Sequence, residues 1–372
     1  MIYMSHEKAI DKLLNAVLDE DVSDMHFKVG SKPIIRKAGE IVHVDEFSTM
    51  KVEHIQRLIR EIITDEQAEE FAHGNELDLS YSLADQARFR VNIYHQRGTP
   101  AMVMRKIPFE VPVLDDLGLP EVVKEISMEM RGLVLVTGAT GTGKSTTIAA
   151  MINHINMNRS AHIVTIEDPI EFLHSDNKCT ICQREVGIDT KDWSTGLRSV
   201  FRQDPDVILI GEMRDAESIS TALIGAETGH LVLSTLHTTN AMETISRIID
   251  VFPQGQQHLI RLQLGQLISG IVSQRLLPAI KEEDGRVLAA EVLVQSSTVN
   301  ACIINPEKTY LLTETMEKSY SQYGMQTFDM ALYNLLLDEK IDREVALATA
   351  SNPTKLDLRL KGIETASDWR ME

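Results

Sequence analysis

The sequence has few cysteines, a shortage of positive charge and no long hydrophobic run. Its 372 residues include three cysteines, too few for a disulfide framework and in keeping with the reducing cytosol. Lys and Arg number 37 against 55 Asp and Glu, and the net charge of -18 would still be -6 with all 12 histidines protonated. We therefore expect no nucleic-acid partner, because broad binding to phosphates requires positive charge.

The lack of long hydrophobic runs bears on membrane insertion. One of the longest, residues 132–136, is far shorter than the roughly 18 residues that a membrane-spanning helix needs. Residues 1–8 lack the apolar core and the small-residue cleavage site of a signal peptide. Hydrophobic residues still make up 43% of the chain, enough to bury a large core. These features predict a cytoplasmic protein of two domains without direct membrane insertion.

Residues 1–108 predict a small mixed α/β domain. Apolar residues recur at helical spacing over 10–18 and again over 51–63. Strand-like runs lie at 25–29, 33–37, 40–44, 76–82, 87–94 and 101–107. Prolines and a glycine then interrupt regular structure, and they predict a linker at 109–120.

Residues 121–372 predict a second domain in which strands alternate with helices. Short apolar strands are predicted at 133–137, 162–166, 207–210 and 231–235, with helices at 144–155 and 216–228. Strands of this kind are typical of a parallel sheet that is covered on both faces. From 241 onward the pattern is mostly helical, best at 259–277 and 327–337, with one further strand at 287–294.

A phosphate-binding loop follows the first of these strands. The segment Gly138-Ala-Thr-Gly-Thr-Gly-Lys-Ser145 matches the pattern G-x-x-x-x-G-K-[ST] in full, between a strand and a helix. Its glycines let backbone amides converge on phosphate oxygens, and the helix N-terminus adds positive potential. Lys144 is then expected to reach the β- and γ-phosphates, and Ser145 to bind Mg²⁺. The predicted nucleotide-binding residues are Gly138, Ala139, Thr140, Gly141, Thr142, Gly143, Lys144, Ser145 and Thr146.

Carboxylates follow two other predicted strands. Glu212 comes just after 207–210, at the strand end where open α/β sheets bind ligands, and it is our candidate second magnesium residue. The alternative is an ordinary surface glutamate. The acidic run Glu167-Asp-Pro-Ile-Glu171 ends the strand at 162–166, and either a general base or a solvated loop fits it.

Histidines and arginines supply further candidates. His230 and His237 bracket the strand at 231–235, and γ-phosphate sensing requires that this strand lie beside the P-loop strand. Ordinary core or surface histidines are the alternative. Arginines that could neutralise phosphate lie near the end of the first domain, at Arg88, Arg90, Arg97 and Arg105, and on one predicted helix face, at Arg198 and Arg202. Each of these arginines also fits a surface ion pair.

The cysteine pair does not predict a zinc site. Cys179 and Cys182 have the C-x-x-C spacing, but a four-ligand site needs a second pair and only Cys302 remains. No thioredoxin-like context surrounds the pair, so redox chemistry is not predicted either.

The ordered motifs resemble a known family. They are Gly138-Ala-Thr-Gly-Thr-Gly-Lys-Ser145, Ile166-Glu-Asp-Pro-Ile-Glu171, Ile210-Gly-Glu-Met-Arg-Asp215, Ala226-Glu-Thr-Gly-His230 and Ser234-Thr-Leu-His237. This set resembles the type II/IV secretion ATPases, most closely the twitching-motility retraction ATPases of the PilT/PilU type. The similarity extends over nearly the whole chain, from Ser23-Asp-Met-His26 to Gly324-Met-Gln-Thr-Phe-Asp329.

The resemblance implies a fold, cofactors and partners. It implies an α/β protein with a PAS-like α+β domain at 1–108, then a RecA-like P-loop ATPase core with a C-terminal helical region at about 254–372. The cofactors would be ATP and Mg²⁺, and the absence of an Asn-Lys-x-Asp guanine signature agrees with ATP. The implied partners are five further copies in a homohexamer, an inner-membrane pilus platform protein and a second retraction ATPase. The protein would be cytoplasmic and docked peripherally at the inner membrane.

The resemblance also implies residue roles. Glu171 corresponds to the general base and Glu212 to the Walker B carboxylate. His230 and His237 correspond to the two residues of the histidine box. Arg90 and Arg105 would reach nucleotide across a domain or subunit boundary. ATP hydrolysis in the ring would then drive pilus retraction.

Two departures keep alternatives open. The PilT branch carries an Ala-Ile-Arg-Asn-Leu-Ile-Arg-Glu segment, whereas the comparable stretch Val299-Asn-Ala-Cys-Ile-Ile-Asn-Pro306 has neither arginine. The ending is nearer the PilU branch, and the run at 204–215 is nearer PilT. The alternatives to an independent motor are a PilU-like accessory ATPase and a non-hydrolysing ATP-binding regulator. A RecA-like DNA motor has the wrong overall charge.

Overall fold

The computed structural model describes residues 8–18, 22–37, 39–83, 86–107, 110–281 and 285–363. The chain forms two compact units. The first comprises Met1–Glu110 together with Glu171–Leu173, and the second comprises Val111–Ile170 together with His174–Glu372. The short segment Glu171–Leu173 was not expected in the first unit. In the described part of the chain, every helix is too short or too polar to cross a membrane.

The first unit is an α+β domain built on one antiparallel sheet. Its strands are β1 (Val22–Lys28), β2 (Ile34–Lys37), β3 (Glu40–His43), β4 (Leu77–Leu83), β5 (Ala87–Gln96) and β6 (Thr99–Ile107), in the order β3-β2-β1-β6-β5-β4. Its helices are α1 (Ala9–Val17), α2 (Val52–Arg60) and α3 (Asp65–Ala72). All six predicted strands and both predicted helices are confirmed.

Alternation along the strands divides the first unit's sheet into two faces. Phe27, Phe89 and Met104 lie on one face and pack with apolar residues of α1 and α2 in a single core. The other face carries polar side chains, including Asp24, Arg90 and Arg105. The sequence pattern missed α3, although Thr64 and Gln67 form a capping box at its start.

The second unit has a seven-stranded sheet. Its strands are β7 (Gly132–Thr137), β8 (His162–Glu167), β9 (Thr180–Glu185), β10 (Val207–Ile210), β11 (Leu231–Leu236), β12 (Ile268–Pro278) and β13 (Arg286–Val294). Their order is β13-β12-β7-β11-β10-β8-β9, and all neighbours are parallel except β12 and β13. The predicted parallel sheet is therefore confirmed, and β7 lies near its centre.

Helices cover both faces of this sheet. They are α4 (Val122–Ser127), α5 (Lys144–Asn158), α6 (Trp193–Val200), α7 (Ala216–Glu227), α8 (Ala241–Asp250), α9 (Gln254–Leu267), α10 (Ser297–Ile304), α11 (Leu312–Lys318), α12 (Tyr320–Tyr323), α13 (Phe328–Leu337), α14 (Arg343–Thr349) and α15 (Pro353–Leu360). Leu133 and Leu135 of β7 pack with α7, α8 and α9, and Val134 and Val136 pack with α5. This two-sided burial explains why β7 is apolar at successive positions.

Two sequence predictions are wrong. The helix predicted at 259–277 ends at Leu267, and Ile268 starts β12, which pairs with β7 on one side and β13 on the other. The region from 254 to 372 is therefore not simply helical. The apolar residues of this segment fit a buried helix as well as a strand. Pairing with β7 decides in favour of the strand.

The second correction concerns the two arginines predicted to share a helix face. Helix α6 ends at Val200, so Arg202 lies beyond it. Arg198 lies 3.7 Å from Glu217 in an exposed ion pair. Only Arg198 of these two arginines therefore belongs to the helix.

Candidate nucleotide-binding site

The glycine-rich loop connects the carboxyl end of β7 to the start of α5. Gly138, Gly141 and Gly143 adopt positive φ values of 150°, 79° and 88°, a region that side chains disfavour. A Cβ atom on Gly138 would lie 2.7 Å from the carbonyl oxygen of Gln274 and 2.5 Å from Thr142 Oγ1. Gly143 directs the chain into α5, so the free amides of the helix N-terminus face the loop.

Lys144 is folded over this loop. Its buried ammonium group donates hydrogen bonds to the carbonyl oxygens of Gly138, at 2.9 Å, and Ala139, at 3.1 Å. The Thr142 hydroxyl donates to the carbonyl oxygen of Ala139 at 2.8 Å and tightens the turn. Ala139 and Thr140 are exposed at the loop tip, and Ser145 and Thr146 lie in the first turn of α5. The loop thus presents hydroxyls, amides and one cation at a single strand end.

A histidine and a carboxylate join Lys144 at this edge. Strand β11 pairs with β7 so that Leu236 lies opposite Thr137, which places the next residue, His237, level with the loop. His237 Nδ1 lies 3.4 Å from Lys144 Nζ, and His237 Nε2 lies 3.2 Å from Glu212 Oε1. Glu212 follows β10, the next strand in the sheet. Lys144, His237 and Glu212 therefore form a connected chain of polar groups.

Arg214 extends this chain. Its Nη2 atom lies 2.7 Å from Glu212 Oε2. Burial alone would raise the pKa of Glu212, but the hydrogen bond and charge of Arg214, with the contribution of His237, lower it below its usual value. The bond to Glu212 and the nearby charges of Glu212 and Asp168 raise the pKa of Arg214. Glu212 is consequently a carboxylate at neutral pH, the form that a magnesium site requires.

The two candidate histidines are not in one place. Leu231 lies opposite Gly132 at the amino ends of β11 and β7, so His230 is at the sheet edge away from the loop. The strand between the two histidines spans about 20 Å. His230 Nδ1 lies 3.0 Å from the Gly225 carbonyl oxygen and 3.0 Å from Thr228 Oγ1. These contacts close the turn between α7 and β11, and they do not bring His230 to the loop of its own chain.

The acidic run begins at Glu167, the last residue of β8. Glu167 Oε1 accepts hydrogen bonds from Thr165 Oγ1, at 2.6 Å, and Gln183 Nε2, at 3.1 Å. The Asp168–Pro169 peptide bond is cis. Glu171 is exposed and belongs to the first compact unit.

The candidate arginines Arg90 and Arg105 also belong to the first unit. They lie opposite each other on β5 and β6. Arg105 Nε donates to Asp24 Oδ1 at 2.8 Å. Burial would raise the pKa of Asp24, but the bonds from Arg105 and Ser23 and the Arg105 charge lower it. Arg90 is exposed.

Three residues at the loop were not assigned roles from the sequence. Arg214 lies in the segment Ile210–Asp215, two residues after Glu212, and this short spacing could have indicated a contact between the two side chains. Gln274 of β12 donates from Nε2 to Thr147 Oγ1 at 2.6 Å, and Arg286 of β13 donates to the Gly141 carbonyl oxygen at 3.4 Å. Both residues come from strands more than 120 positions further along the chain, so no local pattern could reveal them.

The fold and this site define the class of protein. A glycine-rich loop joins a central parallel strand to a helix, with a carboxylate and a histidine at the ends of neighbouring strands, as in P-loop nucleotide-binding domains. The model of the family described as "Type II/IV secretion system protein" matches residues 4–334, and the chain belongs to this family.

Individual relatives are similar over almost their full length. The type IV pilus retraction ATPase PilT of Pseudomonas aeruginosa is 42% identical, over 92% of this chain and 98% of its own. The type IV pilus ATPase PilU of the same organism is 38% identical, over 96% and 93%. A crystal structure of the pilus retraction motor PilT with bound ADP is 40% identical and superimposes with a TM-score of 0.82, over 94% of this chain and 99% of that one. The PAS-like unit and RecA-like core expected from the sequence agree with this likeness.

Proposed function

We propose that this protein is an ATP-hydrolysing motor that powers type IV pilus retraction. The observation that carries the proposal is the chain of contacts from Lys144 through His237 to Glu212 at the P-loop. This chain of contacts lies within a sequence of which 92% aligns with a retraction ATPase. The P-loop supports nucleotide binding, and the similarity to retraction ATPases supports the role in pilus retraction.

The residues at the loop fit ATP and Mg²⁺. The loop amides, the start of α5 and the Lys144 ammonium supply the donors that phosphate oxygens need. The Ser145 hydroxyl and the ionised Glu212 supply oxygen ligands, Glu212 directly or through a water. Bound Mg²⁺ neutralises charge on the β- and γ-phosphates. Lys144 must leave the carbonyl groups of Gly138 and Ala139 to bind phosphate, and this movement would also change its 3.4 Å contact with His237.

Hydrolysis requires a base and compensating positive charge. We assign Glu171 as the general base that takes a proton from the attacking water, and Arg90 and Arg105 as the cations that neutralise the transferred phosphate. The resemblance to retraction ATPases supports both assignments. Because Arg105 is bound to Asp24, its part requires an exchange of partners. We assign His230 the structural role of closing the turn before β11.

A ring supplies the mechanical part of the proposal. Six copies would form a homohexamer in which each first unit moves as nucleotide turns over in the cores. The ring would act from the cytoplasm on an integral platform protein of the inner membrane, and a second retraction ATPase would be a further partner. The resemblance to the retraction ATPases implies this assembly.

Phosphate release by the purified protein tests the proposal. A hexamer confirmed by light scattering should release phosphate from Mg-ATP, and the Lys144→Ala chain should not. Deletion of the gene should leave cells piliated but without twitching motility. A verified hexamer without phosphate release would refute the motor and favour the ATP-binding regulator.

The PilU-like role is a second candidate. It is favoured by the 38% identity to PilU over 96% of this chain and by α10, which has neither arginine of the PilT-type segment. Deletion in strains with and without another retraction ATPase separates the roles. A motility loss that appears regardless of the second enzyme supports an independent motor.

A further inference from the structure

A buried glutamate joins the helix after His237 to the C-terminal helices. Glu291 lies in β13, opposite Ser273 of β12, and only 6% of its surface is exposed. Its Oε1 atom accepts a hydrogen bond from the backbone amide of Ala241 at 2.8 Å. The next residue of β13, Val292, exchanges backbone hydrogen bonds of 2.8 and 3.0 Å with Gln326, two residues before Phe328. Ala241 and Phe328 are the first residues of α8 and α13, so the carboxylate binds the N-terminus of α8 beside the point where β13 holds the start of α13.

The position of α8 bears directly on the nucleotide site. Only three residues separate His237, which contacts Lys144 and Glu212, from Ala241. Thr238 and Thr244 share a buried hydrogen bond of 2.6 Å, which ties this short connection to the first turn of α8. A shift of Ala241 is therefore transmitted to His237, because the connection between them is short and is held by this hydrogen bond.

The start of α13 is connected to the far end of the chain. Asp329, next to Phe328, accepts hydrogen bonds from the amides of Ser351 and Asn352 at 2.7 and 2.9 Å, just before α15. The Arg275 guanidinium lies 3.8 Å from the centre of the Phe328 ring and donates to the Thr349 carbonyl oxygen at 2.6 Å. These contacts join α13, α14 and α15 around β12 and β13.

Strand β7, which precedes the P-loop, is joined to β12 by a side-chain hydrogen bond. Thr137, the last residue of β7, donates its hydroxyl to Ser273 Oγ at 2.8 Å. Because directly opposed residues of an antiparallel pair share a face of the sheet, Ser273 and Glu291 lie on the same side. The network therefore begins at the residue before Gly138 and ends at α15.

We propose that Glu291 is a positioning residue that fixes His237 through the first amide of α8 and couples this placement to the C-terminal helices. This inference rests on the proposed ATPase function, because it assigns a role within the same site. Helix N-termini favour a negative group at this position. A glutamate has the reach that the Ala241 amide requires, and an apolar residue there would leave this amide buried without a partner.

Opposing effects act on the pKa of Glu291. Burial raises its pKa to about 7, although the bond from the Ala241 amide, the Arg275 charge and the nearby Phe328 backbone oppose the rise, and the charge of Asp329 adds to it. Arg275 and Asp329 are the charged groups that act on it from β12 and α13. The hydrogen bond from the start of α8 supports the positioning role in either charge state, because a protonated carboxyl group keeps an acceptor oxygen.

Two matched variants test this role in the full-length protein. Glu291→Gln keeps the length and an acceptor oxygen, and Glu291→Asp keeps the charge but draws the carboxylate back. We expect Glu291→Asp to lower kcat for ATP about tenfold, with KM changed less than twofold, because the P-loop itself stays intact. Glu291→Gln should retain kcat to within about threefold. The control Glu344→Gln removes an exposed charge from α14 and should behave as wild type.

Hydrogen exchange gives a readout that does not depend on turnover. The peptide 237–245 should exchange faster in Glu291→Asp than in wild type and Glu291→Gln, while the peptide over α5 stays unchanged. Wild-type kcat in Glu291→Asp, or slower turnover without faster exchange at 237–245, would overturn the positioning role. If the wild-type hexamer releases no phosphate, the proposed function fails instead, and the exchange pattern alone then decides on Glu291.

Discussion

His237 Nε2 lies 3.2 Å from Glu212 Oε1 while its Nδ1 lies 3.4 Å from Lys144 Nζ. One imidazole therefore stands between the P-loop cation and the carboxylate that is expected to serve Mg²⁺. A neutral ring has one N–H donor and one acceptor, so it can donate to Glu212 and accept from Lys144 at the same time. A movement of Lys144 toward phosphate breaks one of these contacts, which gives the site a means to register nucleotide.

The first prediction separates the two histidines. His237→Ala should lower kcat for ATP by about tenfold to a hundredfold, because it removes the link between Lys144 and Glu212. His230→Ala should leave the affinity for ADP within about twofold of wild type, because His230 lies at the opposite sheet edge. Isothermal titration and phosphate-release assays give both numbers. A large loss of ADP affinity in His230→Ala would contradict the placement from the sheet register.

The second prediction concerns the general base. Glu171→Gln should bind ATP normally while hydrolysis falls by about a hundredfold or more, a typical loss for a general base. Glu167→Gln is the comparison within the same acidic run, and it should lose less. Near-normal turnover in Glu171→Gln would move the base to another carboxylate.

The third prediction tests whether Arg90 acts in a neighbouring subunit. Arg90→Ala and Lys144→Ala rings should each be inactive, since one lacks the compensating cation and the other the P-loop cation. Mixed rings should recover part of the activity if an intact Arg90 and an intact Lys144 meet at some subunit boundaries. Native mass spectrometry verifies the mixing, and mixed rings without recovery would count against action in trans.

The fourth prediction uses the raised pKa of Glu291. The folded protein holds this proton up to about pH 7, whereas an unfolded glutamate releases it near 4.5. The folded state therefore binds more protons in this window, and its stability falls as pH rises through it. Glutamine does not titrate, so the Tm of Glu291→Gln minus that of wild type should increase from pH 5 to pH 8. A difference that stays constant over this range would show that Glu291 does not titrate there.

The fifth prediction concerns the loop glycines. Gly138→Ala should abolish nucleotide binding and lower Tm, because its Cβ would lie 2.7 Å from the Gln274 carbonyl oxygen. Gly229→Ala is the matched control, since Gly229 also has a positive φ but open space around it. The control should cost about 1 kcal/mol with binding retained. Equal losses of Tm in the two variants would show that backbone conformation alone sets the effect.

Local sequence patterns predicted most elements of the fold, because their physical causes are local. The sequence of α1 contains a stripe of apolar residues at helical spacing, and these residues are buried. Strands β10 and β11 are apolar runs of the length that a covered parallel strand requires. Strand β12 was misread, because its run of apolar residues also fits a buried helix. Its pairing with β7 decided the outcome, and that pairing spans more than 130 residues.

The sequence alone determined the P-loop and its nucleotide chemistry, because the motif from Gly138 to Ser145 encodes a backbone conformation, a cation and a hydroxyl in one continuous stretch. It also identified the carboxylate at Glu212. Only the tertiary structure decided which groups meet this loop. The sequence presents His230 and His237 as equivalent, and the direction of β11 places one at the loop and the other at the far edge. Gln274 and Glu291 acquire their roles from strand neighbours and helix ends that are distant in sequence, and such proximity is set by the packing of the whole domain.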